Sequence, residues 1–229
     1  MITQTYKDID YTLRQGDRKT LSIYVERDGN VTVLAPQQLT SNDVNGIIEL
    51  KRYWIYKSQS EQKELNRNKV LREIANGEGY LYLGNSHKLK IEKNLDAPIS
   101  LTSGYFLLDQ NCIDKAKSHF INFYREKGKE HIPQRIGYFK KKLGVEPKSV
   151  RIMDLKYRWA SRSNNNTLNF HWKTMLAPLT IIDYIIVHEM AHMLKRCHNS
   201  EFWSIVSSII PDYLERKEWL RKNGANLDI

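Results

Sequence analysis

Cysteine is scarce. Cys112 and Cys197 are the two in 229 residues, too few for the disulfide frameworks that hold small secreted domains. No charged stretch followed by an apolar one opens the chain over residues 1–11, and the two absences together fit a protein of the reducing cytoplasm. Long apolar runs are missing too. The best stretch, residues 181–187, is interrupted by Asp183 and is far shorter than the roughly 20 residues that cross a bilayer, so no membrane span is expected.

Acidic residues are in deficit. Lys and Arg total 36 against 26 Asp and Glu, a net charge of +10, which favours polyanions as neighbours through long-range attraction. The basic residues are scattered through 14–19, 51–72, 125–129 and the C-terminal stretch, so any DNA contact through this surface is expected to be non-specific. The remaining composition, 41% hydrophobic and 27% charged, is that of a folded globular chain.

Hydrophobic periodicity supplies the elements. Leu21, Ile23 and Val25 alternate over 20–25, and a second apolar segment at 31–34 follows Asp28-Gly29, which predicts a β-hairpin. Thr40 and Asp43 form a capping-box pattern before a long amphipathic helix whose polar run extends to Asn68. Segments 79–83, 89–91 and 99–108 are strand-like and broken by Gly84-Asn85, Pro98 and Gly104, so the first hundred residues read as one curled sheet with one helix. Tyr80 and Tyr82 share a strand face there and read as half-buried sheet residues.

From Cys112 the period becomes helical. Ile113, Ala116, Phe120, Phe123 and Tyr124 mark one helix, and Pro133 starts another through Ile136, Phe139 and Leu143 to Gly144. The expected domains are therefore 1–108, β-rich with one long helix, and 109–229. Strand-like segments 150–159 and 167–172 flank a polar hairpin loop at 161–166, and a Thr180/Asp183 capping pattern opens a helix running through Met193.

That helix carries His188-Glu189-Met190-Ala191-His192. Histidines four apart share a helix face and can converge on one ion, while Glu189, one step round, can reach a water beside it. His198 is the best third ligand, because the helix can end near Lys195-Arg196 and the chain turn back. Three protein ligands leave the fourth zinc position to water, the arrangement of catalytic sites. Cys197 adjoins His198, and neighbouring side chains seldom ligate one ion together, so it reads as a small half-buried thiol; His171 reads as packing or surface, and Phe202-Trp203 as aromatic support beneath the site.

Arg158-Trp159-Ala160-Ser161, Leu168-Asn169-Phe170, Leu176-Ala177-Pro178, Ile182-Asp183-Tyr184, the histidine motif and His198-Asn199-Ser200-Glu201-Phe202-Trp203 resemble the YgjP-like metallopeptidase family. Arg18 to Ile23, Asp28-Gly29, Ala35-Pro36 and Trp54-Ile55 resemble the opening of the same family, so the likeness spans nearly the whole chain. It implies an α+β fold: a mostly β N-terminal region, then a zincin-like catalytic domain with a small antiparallel sheet, related to the SprT-like proteases of DNA–protein crosslink repair. It also implies that His188, His192 and His198 bind one zinc per chain and that Glu189 is the general base. Ala160 and Arg162 depart from the family, which often has glycine and cysteine there.

The expected activity is hydrolysis of a protein or peptide substrate by a zinc-activated water. Segment 168–172 reads either as a cleft-side strand that aligns an extended peptide or as a plain core hairpin. Two rivals remain: a nucleic-acid-associated module with a structural zinc, which needs Cys197 as fourth ligand, and a zinc amidohydrolase acting on a non-protein amide.

Overall fold

A computed structural model describes residues 2–26, 28–67, 72–155 and 158–229. The chain divides into two compact units, Met1–Lys69 and Val70–Ile229. In the first, strands β1 (Ile2–Tyr6), β2 (Ile9–Gly16), β3 (Ser22–Val25) and β4 (Val31–Pro36) precede helix α1 (Ser41–Asn66). The sheet runs β1-β2-β4-β3, with antiparallel outer pairs and a parallel β2–β4 pair in the middle. β3 and β4 are the expected hairpin, joined through Gly29 at φ +87°. β1 and β2 escape a reading by apolar content because polar residues dominate them. Even so, Ile9, Tyr11 and Leu13 alternate inward onto Val31, Val33 and Ala35, and Val44, Ile48 and Ile55 of α1 complete this core. The capping box forms: Thr40 Oγ1 accepts from Asp43 N, and Thr40 N donates to the Asp43 carboxylate at 2.8 Å. Asn68, the expected end of the helix, lies outside the described residues.

The second unit opens with β5 (Gly79–Tyr82), β6 (Asn85–Glu92), β7 (Ile99–Thr102) and β8 (Tyr105–Asp109), ordered β5-β6-β8-β7. The middle pair is again parallel, so the first hundred residues hold two sheets of one topology where a single curled sheet was expected. The division also falls earlier than the boundary expected near residue 108. The cause is packing: Tyr80, Leu89, Phe106 and Leu108 share a core with Phe120, Tyr124 and the helices that follow. Tyr80 is fully buried, stacked on Phe120 with ring centroids 4.3 Å apart, and Tyr82 is half-buried.

A 3-10 turn, Gln110–Lys115, leads into α2 (Ala116–Leu143), one helix where two were expected. Pro133 sits inside it. Phe120, Tyr124, Gly128, Ile132, Ile136 and Phe139 form an unbroken buried stripe across the proline, and burial of that stripe outweighs the backbone hydrogen bond the ring removes. Gly144, at φ +68°, ends the helix in the left-handed conformation.

Strands β9 (Ser149–Met153), β10 (Ala160–Arg162) and β11 (Thr167–His171) form a mixed sheet in place of the expected antiparallel one. β10 and β11 are the hairpin, and β9 joins β11 in parallel. The expected strand 150–159 thus ends early; its Lys156 and Tyr157 lie outside the described residues. A 3-10 turn, Trp172–Leu176, precedes α3 (Leu179–Leu194), α4 (Ser200–Ile209) and α5 (Tyr213–Asn223). The Thr180/Asp183 cap does not form, because the helix begins two residues earlier, at a Pro178 N-cap. Asp183 instead accepts from Arg135 of α2, Nε at 2.7 Å and Nη2 at 2.6 Å. Leu83 N and Gly84 N donate to the carbonyls of Met175 and Leu176, which clamps the β5–β6 turn onto the entry to α3. No described helix is long and apolar enough to cross a membrane.

Candidate metal centre and active site

Helix α3 is almost wholly buried, from Ile181 to Ala191, and this fixes its rotation so that one face meets a cavity. Tyr184, His188 and His192, spaced by four, lie on that face. The helix ends at Lys195, where extended backbone turns the chain back. His198 follows, and Asn199 caps α4 through its side chain, which accepts from Phe202 N at 3.0 Å.

The result brings His188, His192 and His198 together, one ligand nitrogen from each within 4.8 Å of the others. His188 Nε2 and His198 Nε2 are 3.1 Å apart. In a tetrahedral zinc site, with Zn–N of about 2.0–2.1 Å, donor nitrogens stand about 3.3 Å apart, so the two donors already hold that kind of spacing. His192 Nδ1 meets the Lys195 carbonyl at 3.2 Å, which makes Nδ1 the protonated nitrogen and leaves the Nε2 lone pair for the cluster. His188 Nδ1 is buried with no hydrogen-bond partner among the described residues. Burial, then the neighbouring histidines and Lys217, drives the His188 pKa down to about 3; burial also lowers His192 and His198. All three imidazoles are thus kept neutral, the form that binds a cation. The donor set fits a borderline metal such as zinc.

Aromatic rings back the imidazoles. Phe202, fully buried, lies 4.5 Å from the His192 ring, and Trp203 stacks on His198 at 5.6 Å and on Tyr213 at 5.1 Å. Cys197 is exposed rather than half-buried and stands outside the cluster; among the described residues, the cluster gains no fourth protein ligand. That removes the ligand the structural-zinc rival requires. His171 is buried, with Nδ1 accepting from Lys173 N at 3.0 Å, and does not line the cavity.

The cavity, about 620 Å³, is walled by α3, the 196–198 turn and β10. Glu189 lies in this wall and is 7% exposed. Burial pushes its carboxyl up to about 7, against the pull of the Arg158 charge and a hydrogen bond from the Arg162 main-chain N–H. β11, read from the sequence either as a cleft-side strand or as part of a core hairpin, is the central strand, paired on both sides, with Leu168 and Phe170 fully buried. The cleft-side edge is β10, whose second edge carries no strand among the described residues. Reasoning from sequence missed the arginines and Tyr184 in the cavity wall. Tyr184 had a signal, the four-residue step to His188; the charged role of Arg158, Arg162 and Arg196 had none in local periodicity, because β10 is three residues long and Arg158 and Arg196 lie outside regular elements.

A family model described as YgjP-like, metallopeptidase domain, matches residues 19–223. The chain belongs to this YgjP-like metallopeptidase family. No curated protein matches. Among solved structures, the crystal structure of the metallopeptidase zymogen of Pyrococcus abyssi abylysin is similar, with 25% identity over 39% of this chain and 90% of that one. Its TM-score, 0.37, is too low to define a common fold.

Proposed function

We propose that the protein is a zinc peptidase in which His188, His192 and His198 hold the metal and Glu189 is the general base. The observation that carries this is the convergence of three neutral imidazoles beside a buried carboxylate in one cavity wall. Zinc bound there would supply Lewis acidity, polarising the scissile carbonyl and lowering the pKa of water. Glu189, with its pKa lifted by burial to about 7, takes a proton from the attacking water and passes it to the leaving amine near neutral pH. The Arg162 N–H orients the carboxylate, and the Lys195 carbonyl fixes the His192 ring. The outer edge of β10, which carries no strand among the described residues, suits alignment of an extended peptide along the cavity.

Glu189→Gln tests the proposal. The amide keeps the size of the side chain but cannot accept a proton, so zinc content should stay near one per chain while cleavage of an unfolded protein falls by about 10²–10⁴-fold. Equal cleavage by the variant at equal zinc occupancy removes Glu189 from the mechanism.

A further inference from the structure

Glu189 is the only acid among the described residues lining the cavity, and the permanently charged side chains there are all guanidinium groups: Arg158, Arg162 and Arg196. Arg158 and Arg196 are exposed at the rim, while Arg162 is half-buried. Arg162 is held by Asn166, whose Oδ1 accepts from Nη1 at 2.8 Å, which engages one of its five N–H donors. The fields of Arg158 and Arg162 reach the Glu189 carboxylate, and that of Lys217 reaches His188 and His198. Glu201 pairs with Lys195 at 2.5 Å and Asp154 with Arg125 at 2.6 Å, and neither lines the cavity. A concave surface lined by one sign of charge concentrates the opposite sign, and the planar guanidinium fork matches a carboxylate's two oxygens.

We propose that this site selects substrates by a carboxylate placed next to the scissile bond, held by Arg158, Arg162 and Arg196. The carboxylate belongs either to an Asp or Glu side chain or to the end of the substrate chain. The proposal rests on the peptidase reading for its substrate class, but the recognition step can be measured without hydrolysis.

Four versions of one peptide serve as probes: Glu at the variable position with an amidated end, Gln amidated, Lys amidated, and Gln with a free terminal carboxyl. Binding to the metal-free protein is followed by tryptophan fluorescence, since Trp159 lies in the cavity wall and no metal is then present to capture the carboxylate. At least one carboxylate peptide should bind about tenfold to a hundredfold tighter than the neutral peptide, as charge-assisted hydrogen bonds allow. Which of the two does so identifies the source. Arg162→Gln/Arg196→Gln, or Arg196→Gln alone should the pair not fold, should shrink that preference. Lys117→Gln/Lys141→Gln, the same loss of net charge at exposed sites away from the cavity, should preserve it. Equal binding of all four peptides overturns the proposal, as does a preference that the arginine variants leave intact or that the lysine control abolishes. With zinc restored, kcat/KM should follow the same order. Selective binding without cleavage of any peptide would sink the peptidase reading and leave carboxylate recognition standing; cleavage without preference does the reverse.

Discussion

In the proposed mechanism Glu189 and the three histidines carry most of the chemistry, and desolvation makes Glu189 and His188 sensitive to pH. A carboxyl raised from 4.5 to about 7 in the native state binds more protons than the unfolded chain between those values. Its contribution to stability is therefore fully present below about 4.5 and is lost as pH rises through 7. His188, lowered from 6.5 to about 3, acts in the opposite sense: the unfolded chain takes the extra proton, so stability falls as pH drops below 6.5. Comparing parent with Glu189→Gln in the absence of metal isolates the first effect, because both proteins contain His188. The variant's advantage in urea unfolding should grow between pH 5 and pH 8 to about 2–3 kcal/mol; a constant difference would show that Glu189 is not desolvated. Metal content separates the remaining roles. His198→Ala should lose most bound zinc, whereas Cys197→Ser, outside the cluster, should keep it, as measured by metal analysis after dialysis.

At the scale of elements, the site depends on how α3 enters the core. Gly84 packs against Pro178, the residue before α3, and a Cβ added there would lie 2.8 Å from Pro178 Cγ and 2.9 Å from its Cα. The backbone at Gly84 is also left-handed, φ +83°. Gly84→Ala should therefore destabilise the protein by about 1–3 kcal/mol in denaturant titrations, from strain and overpacking together. The sequence marked Gly84-Asn85 as a turn but held no sign of its partner, nearly a hundred residues away. This limit recurs. Local patterns were legible: the Thr40 cap, the β3–β4 hairpin, the helical spacing that gathers His188 and His192, and the stop after Leu194 that lets His198 return. Features set by tertiary packing were not. α2 continues through Pro133 because its buried stripe does, Asp183 serves Arg135 instead of a cap, and β11 is central because β9 pairs with it in parallel, past the β10 strand that lies between them in the chain. The polar β1 and β2 are held by pairing that no single segment advertises.

Across the whole molecule, each compact unit has its own hydrophobic core: Ile9 through Ile55 in the first, Tyr80 through Leu227 in the second. Calorimetry should accordingly resolve two transitions. Only the second unit holds the histidines, so chelation should move one transition and not the other. A metal present at a thousand times its dissociation constant adds about 4 kcal/mol, roughly a 10 °C shift for a unit of this size. A chelator that shifts both transitions, or a single transition throughout, would show the units unfold together. The three clustered histidines lie between residues 188 and 198, whereas the elements of the first unit are complete by Asn66. A growing chain on the ribosome thus has its first unit ready to fold while all three imidazoles are still untranslated, and a product cut short before His198 carries at most two of them. By the proposed mechanism the enzyme is born silent, and hydrolysis waits until His198 has been made.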